Sequence, residues 1–80
     1  MEKRQAPRSR TLKQGRIILS DSTTISCVVR DVSRSGARIV LGSLAHLPSS
    51  FHLTVAPGDT TDLVELIWQR GLAAGVAFRR

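Results

Sequence analysis

Arg4 and Arg8 stand four residues apart in RQAPR, and Asp31, Ser33 and Gly36 stand together in DVSRSG. A guanidinium is a planar, permanently charged fork of donors. It fits a phosphate or the O6/N7 edge of guanine, and it stacks on bases. Pro7 fixes its own φ and biases Ala6 toward extended geometry, so this pair is not presented on a regular helix. The second segment adds a carboxylate, a poor partner for phosphate. It is a good acceptor for the adjacent N1–H and N2 amino donors of guanine's Watson–Crick edge. Ser33 can donate or accept there, and Gly36 allows close backbone approach. Taken by itself, DVSRSG reads first as a strand-ending Asx or Ser turn. Asp31 and Ser33 would then cap backbone N–H groups, with Gly36 available for positive φ. Arginines four apart, equally, occur in any basic arm.

Catalytic constellations are missing from the sequence. His46 and His52 have no Cys or acidic neighbour at metal-ligand spacing and no nucleophile beside them. They read as a loop and a strand-surface histidine. Cys27, the single cysteine, falls mid-strand on the apolar side, where it serves as a small core hydrophobe. Asp59, Asp62 and Glu65 read as turn and surface residues, and there is no phosphate-binding loop or dinucleotide fingerprint. The reading is a binding module without enzymatic activity, metal or cofactor.

The elements that must position these residues are short strands. GRIIL (15–19), TTISCVVRDV (23–32), ARIVL (37–41), FHLTV (51–55), DLVELIWQR (62–70) and GLAAGVAFR (71–79) are rich in β-formers and alternate in polarity. Ile25, Cys27 and Val29 share one face, as do Ala37, Ile39 and Leu41, and Phe51, Leu53 and Val55. The sequence places Val64, Leu66 and Trp68 together on the core side of their strand, with Val76 and Phe78 facing them. SDS (20–22), SRSG (33–36) and APGDT (56–60) supply turns, while 42–50 reads as a loop with room for one helical turn. No helical period is sustained over ten residues. Six strands at hairpin spacing predict an all-β domain, a small antiparallel barrel or curled sheet.

Eighty residues make at most one domain, and a lone cysteine excludes a disulfide framework, which suits a reducing, cytoplasmic setting. No apolar run is long enough for a secretory signal or a membrane-spanning helix. The net charge of +6 is concentrated. Lys3, Arg4, Arg8, Arg10, Lys13 and Arg16 against Glu2 give the first sixteen residues +5, leaving the remainder nearly neutral. We therefore divide the chain into a basic arm, 1–14, and a β-barrel domain, 15–80. A cationic arm on a neutral body expects an anionic partner.

Together the two segments resemble the PilZ domain family, whose pattern is R-x-x-x-R followed some twenty residues later by D/N-x-S-x-x-G. Arg4 and Arg8 match the first element, and Asp31, Ser33 and Gly36 the second, 23 residues after Arg8. ELIWQRGLAAGVAF is similar to the family's last strand pair, and the likeness spans roughly 3–79. The resemblance implies a six-stranded antiparallel β-barrel of split-barrel type that binds cyclic di-GMP, a bacterial second messenger with two guanines and two phosphates. Arg4 and Arg8 would clamp guanine edges and phosphates, Asp31 and Ser33 would read a guanine, and Gly36 would make space. Arg10, Arg34 and Arg38 lie close in sequence to these motifs and are further candidate contacts. Many members carry a C-terminal helix after the barrel; none is expected here. The expectation is a stand-alone receptor, monomeric or homodimeric. It would signal to a downstream protein when ligand orders the arm.

Two other readings fit a small basic β-barrel. A single-stranded nucleic-acid binder stacks bases on exposed aromatics. This chain has no tyrosine, and Phe51, Trp68 and Phe78 all alternate onto expected core faces. Polynucleotide is therefore disfavoured as partner. A family member that has lost its ligand would act purely as a protein-interaction module, and intact motifs argue against that.

Overall fold

The alternating stretches become six strands: β1 (Ser9–Ile18), β2 (Thr24–Val32), β3 (Gly36–Leu41), β4 (Ser50–Val55), β5 (Thr60–Arg70) and β6 (Ala73–Phe78). The computed structural model describes residues 9–56 and 60–79, and among these there is no helix. All pairings are antiparallel and close a barrel in the order β1-β2-β3-β6-β5-β4. Closure pairs the sheet's outer strands with each other, which removes most exposed edge.

The alternation sends Ile17, Cys27, Val29, Ile39, Leu41, Phe51, Leu53, Val64, Ala74 and Val76 inside. Val32, Ala37, Val55, Leu66 and Phe78 pack around them, partly buried. Removal of each large side chain from water contributes about 1.5–3 kcal/mol, which sets this core against the ordering entropy of a short chain. Burial pushes the Cys27 thiol up to about 11, so at neutral pH it is an uncharged part of the core.

Segment 42–49 forms no helical turn. It seats Leu47 in the core and is held by Gln69. The Gln69 side-chain amide donates to the Ala45 carbonyl oxygen at 2.6 Å, while its Oε1 accepts from the Leu47 N–H at 3.2 Å. One inward-facing amide thereby satisfies two backbone groups that a loop over an apolar core would otherwise leave unpaired. The β5–β6 turn uses Gly71 at φ +60°, a backbone region costly for residues with a Cβ.

The first strand is longer than its apolar pattern suggests. Residues 9–14, read from the sequence as part of the arm, are strand. β1 pairs with β4 only over Gly15–Ile18, but it follows β2 out to Ser9↔Val32. The outer half of β1 has a strand partner on one side and little core beneath it. Leu12, Lys13 and Gln14 there are exposed.

Three register shifts bend the barrel, between Arg10 and Lys13 in β1, Val29 and Asp31 in β2, and Leu66 and Trp68 in β5. Each places an extra residue against its neighbour, a β-bulge that reverses side-chain parity downstream. In β2 the extra residue is Arg30, which is exposed; in β5 it is Ile67, also exposed. Trp68, expected on the core side, is turned outward by the second bulge and is 43% exposed. Gln69 takes the inward place.

A candidate ligand-binding groove

Strict alternation from Cys27 and Val29 would carry Asp31 into the core, where an ionised carboxylate is costly. The Arg30 bulge turns it outward instead, opposite Arg38 of β3. The register then continues sideways. Arg38 pairs with Gly75 of β6, and Gly75 with Trp68 of β5. Asp31, Arg38, Gly75 and Trp68 therefore form one row across the outside of four neighbouring strands. With neighbouring strands spaced by about 4.8 Å, the row is about 14 Å long.

An open groove of about 380 Å³ lies along this row. Asp31, Ser33 and Arg38 line one end, Ile67 and Trp68 the other, and Ala37, Gly75 and Val76 lie between. The middle is shallow because its residues are small. A Cβ on Gly75 would collide with the indole Nε1 of Trp68, so the ring lies directly over the glycine backbone. Glycine leaves the hollow, and the indole occupies it while much of the Trp68 side chain stays exposed.

At the polar end, Arg38 Nη2 stands 2.9 Å from Asp31 Oδ2. Arg38 is 54% exposed and Asp31 19%, so solvent screens the pair, worth about 0–1 kcal/mol to folding. The Ser33–Gly36 segment is a tight turn. The Ser33 N–H donates to the Gly36 carbonyl at 2.8 Å, and the Gly36 N–H donates to Ser33 Oγ at 3.3 Å. The Phe78 N–H ties the turn to β6 by donating to Ser35 O.

Ser33 thus fulfils the turn role its sequence context suggested, whereas Asp31 faces Arg38 and the groove. Gly36 departs from expectation. Positive φ occurs at Gly71 and Ser22 among the described residues, not at Gly36. Its missing side chain serves close packing instead, because a Cβ there would run into the carbonyl oxygen of Val76 on β6.

A protein-family model, the PilZ domain, matches residues 2–80, essentially the whole chain. The chain belongs to the PilZ domain family. A comparison with curated proteins finds no match. PilZ domains are receptor modules rather than enzymes, and the family in general is one of cyclic di-GMP binding. The closed six-stranded barrel agrees with the family's fold.

In this PilZ domain, Asp31, Ser33, Gly36 and Arg38 come together at one end of the groove. Arg34 sits exposed in the Ser33–Gly36 turn. Arg10 is registered against Asp31 through the backbone of β1. Arg4 and Arg8 lie outside the described residues; the strand that follows them begins at Ser9, opposite Val32. Trp68 and Ile67 are groove residues that the sequence reading assigned elsewhere or passed over. The run of three large apolar residues, Leu66, Ile67 and Trp68, is the one trace of the bulge in the sequence, since a half-buried strand alternates. His46 and His52 are exposed on other surfaces, and no group of three or more metal-ligating residues occurs among the described residues.

Proposed function

We propose that this PilZ domain binds cyclic di-GMP through its two motifs and passes the signal to a downstream protein by ordering of its N-terminal arm. The observation that carries the reading is the outward turn of Asp31 at the Arg30 bulge. It puts a carboxylate beside Ser33 and Arg38 at the polar end of an open groove. Ser9 and Arg10 are registered against Val32 and Asp31, so β1 starts at this same end of the groove, next in sequence to Arg8. Asp31 and Ser33 accept from and donate to a guanine edge. Arg4 and Arg8 close over phosphates and bases, Gly36 keeps the turn close to β6, and Arg10, Arg34 and Arg38 supply further positive charge. Asp31 needs no other partner before ligand arrives, because Arg38 holds it. The same guanidinium remains free to turn toward a phosphate.

Calorimetric titration with cyclic di-GMP, with GMP and cyclic di-AMP as controls, tests the ligand. Saturable binding of cyclic di-GMP alone is expected, and equal response to all three would overturn the assignment. The relay has its own readout: amide exchange across residues 3–12 slows when ligand is added, and unchanged exchange would exclude arm ordering.

Trp68 reopens the comparison with single-stranded nucleic-acid binders, because one aromatic is exposed after all. A polynucleotide track stacks successive bases on several aromatics. Phe51 is buried and Phe78 packs against the core, so Trp68 offers one platform rather than a series. A two-phosphate ligand also predicts a shallow dependence of log affinity on log salt, where a polynucleotide gives a steep one.

A further inference from the structure

Away from the groove, one row on the outside of the barrel differs from its neighbours. The pairings Gln14↔Val28, Val28↔Val40, Val40↔Ala73 and Ala73↔Arg70 join β1, β2, β3, β6 and β5 in a single line. The residues beside it along the strands, Cys27, Val29, Ile39, Leu41 and Ala74, are buried, so this row faces outward. The outward row of a half-buried antiparallel sheet is ordinarily polar. The next row, Ser26, Arg16, Thr54 and Thr61, follows that rule. Val28, Val40 and Ala73 do not, and all three are partly exposed.

The apolar surface continues past the strand ends. Leu72 in the β5–β6 turn is 43% exposed, and Leu44 in segment 42–49 is 75% exposed. Leu44 lines an open hollow of about 510 Å³ with Ala45, His46, Gln69 and Gly71, the residue before Leu72. The charge around this surface has one sign. Strands β2, β3 and β6, segment 42–49 and residues 71–72 contain a single acid, Asp31, and Arg38 holds it. Arg70 ends the row, Arg30 stands two residues beyond Val28, and Arg16 lies in the next row. All three are exposed, and none has an ion-pair partner among the described residues.

A second copy of the chain would set a net charge of +6, and the same arginines, against itself. Resting on the proposed relay to a downstream protein, we infer that this row is where that protein docks, through an acidic amphipathic helix. Val28 to Ala73 spans about 10 Å, two strand spacings, which matches the rise from i to i+7 along a helix, about 10.5 Å. The helix lays its apolar stripe over Val28, Val40 and Ala73 and sends one side chain into the hollow beside Leu44. Its marginal carboxylates meet Arg70 and Arg30. Those charges orient the partner, while apolar burial holds it. Arg38 and Gly75 of the groove lie two residues further along β3 and β6, so docking sits beside the ligand groove and leaves it open.

The test titrates the full chain with fluorescent helical peptides that share one leucine stripe. One has glutamate at the margins of the stripe, one has lysine, and a control keeps glutamate but scrambles the stripe. Methyl chemical shifts locate each contact. The glutamate-margined peptide is expected to bind saturably and to shift Val28, Val40, Leu44 and Leu72, with the other two weaker by roughly tenfold or more. Arg70→Glu is expected to weaken it by roughly fivefold and to strengthen the lysine peptide. Leu44→Ser is expected to weaken it by a similar factor. Both positions are exposed, so both variants should fold and keep wild-type affinity for cyclic di-GMP. Equal binding of the glutamate and lysine peptides, shifts confined to other surfaces, or no binding at all would overturn the inference. Sedimentation showing that a second copy covers this row would overturn it too. Failure of the wild-type chain to bind cyclic di-GMP removes the receptor function instead, and leaves the docking face to the peptide result.

Discussion

Asp31→Asn and Asp31→Ala are each expected to weaken cyclic di-GMP binding roughly 10- to 100-fold, about 1–3 kcal/mol for a good base-edge contact. Arg8→Ala is expected to fall in the same range, because in the proposed site its guanidinium fork is the complementary half. The domain's stability should hardly move. The Asp31–Arg38 pair is solvent-screened and worth about 0–1 kcal/mol, which for a domain of this size shifts the melting temperature by less than about 4–8 °C. That contrast separates a site from a surface ion pair. A residue kept only for its salt bridge would lose a little stability and no affinity. The released Arg38 in Asp31→Ala adds an uncompensated cation beside the groove. Non-specific attraction of anions rises accordingly, and GMP should gain while cyclic di-GMP loses. Wild-type affinity for cyclic di-GMP in Asp31→Ala would remove Asp31 from the site.

The second large effect is expected at Gly36. Gly36→Ala places a Cβ against the carbonyl oxygen of Val76, at the point where β3 and β6 are registered Gly36↔Ala77 and Ala37↔Val76. A side chain in the way can change rotamer; a carbonyl within a strand pair moves only if the strands separate. The cost is that of overpacking, about 1–3 kcal/mol, and more for Gly36→Val. At about 4–8 °C per kcal/mol, thermal melts followed by circular dichroism should show a clear fall in midpoint. Affinity should fall too, because the Ser33–Gly36 turn is anchored to β6 through Phe78 N–H and Ser35 O, and Ser33 shifts with it. An unchanged melting temperature would show that β3 and β6 tolerate the methyl group, and close packing would no longer explain this glycine.

At Gly36 the structure supplies a reason for glycine that differs from the one its sequence context suggests. The turn chemistry of DVSRSG suggested positive φ there, and Gly36 does not have it. The reason for glycine comes from β6, some forty residues later in the chain, and no local rule contains it.

Much of the fold was legible because a half-buried strand writes its own period. Ile25, Cys27 and Val29, then Ala37, Ile39 and Leu41, then Phe51 and Leu53 face inward as their alternation requires. Breaks rich in Ser, Asp, Gly and Pro separated the strands. The outer half of β1 was not legible. Ser9–Gln14 is polar and charged apart from the exposed Leu12, and it is strand where β2 runs alongside it out to Val32, with no regular alternation to announce it.

What the sequence determined by itself was the family pattern, the all-β class and the inward set of most strands. These depend on residue type and short-range spacing, both of which are local. What only the tertiary structure decided was which side of the barrel Asp31 and Trp68 occupy. A bulge adds one residue with no fixed signature, and parity beyond it reverses. The bulges at Arg30 and Ile67 turn a carboxylate and an indole out of the interior. The register β2-β3-β6-β5 then lays them at opposite ends of one groove. Side-chain parity is a property of paired strands, so it became definite only when the partners were in place.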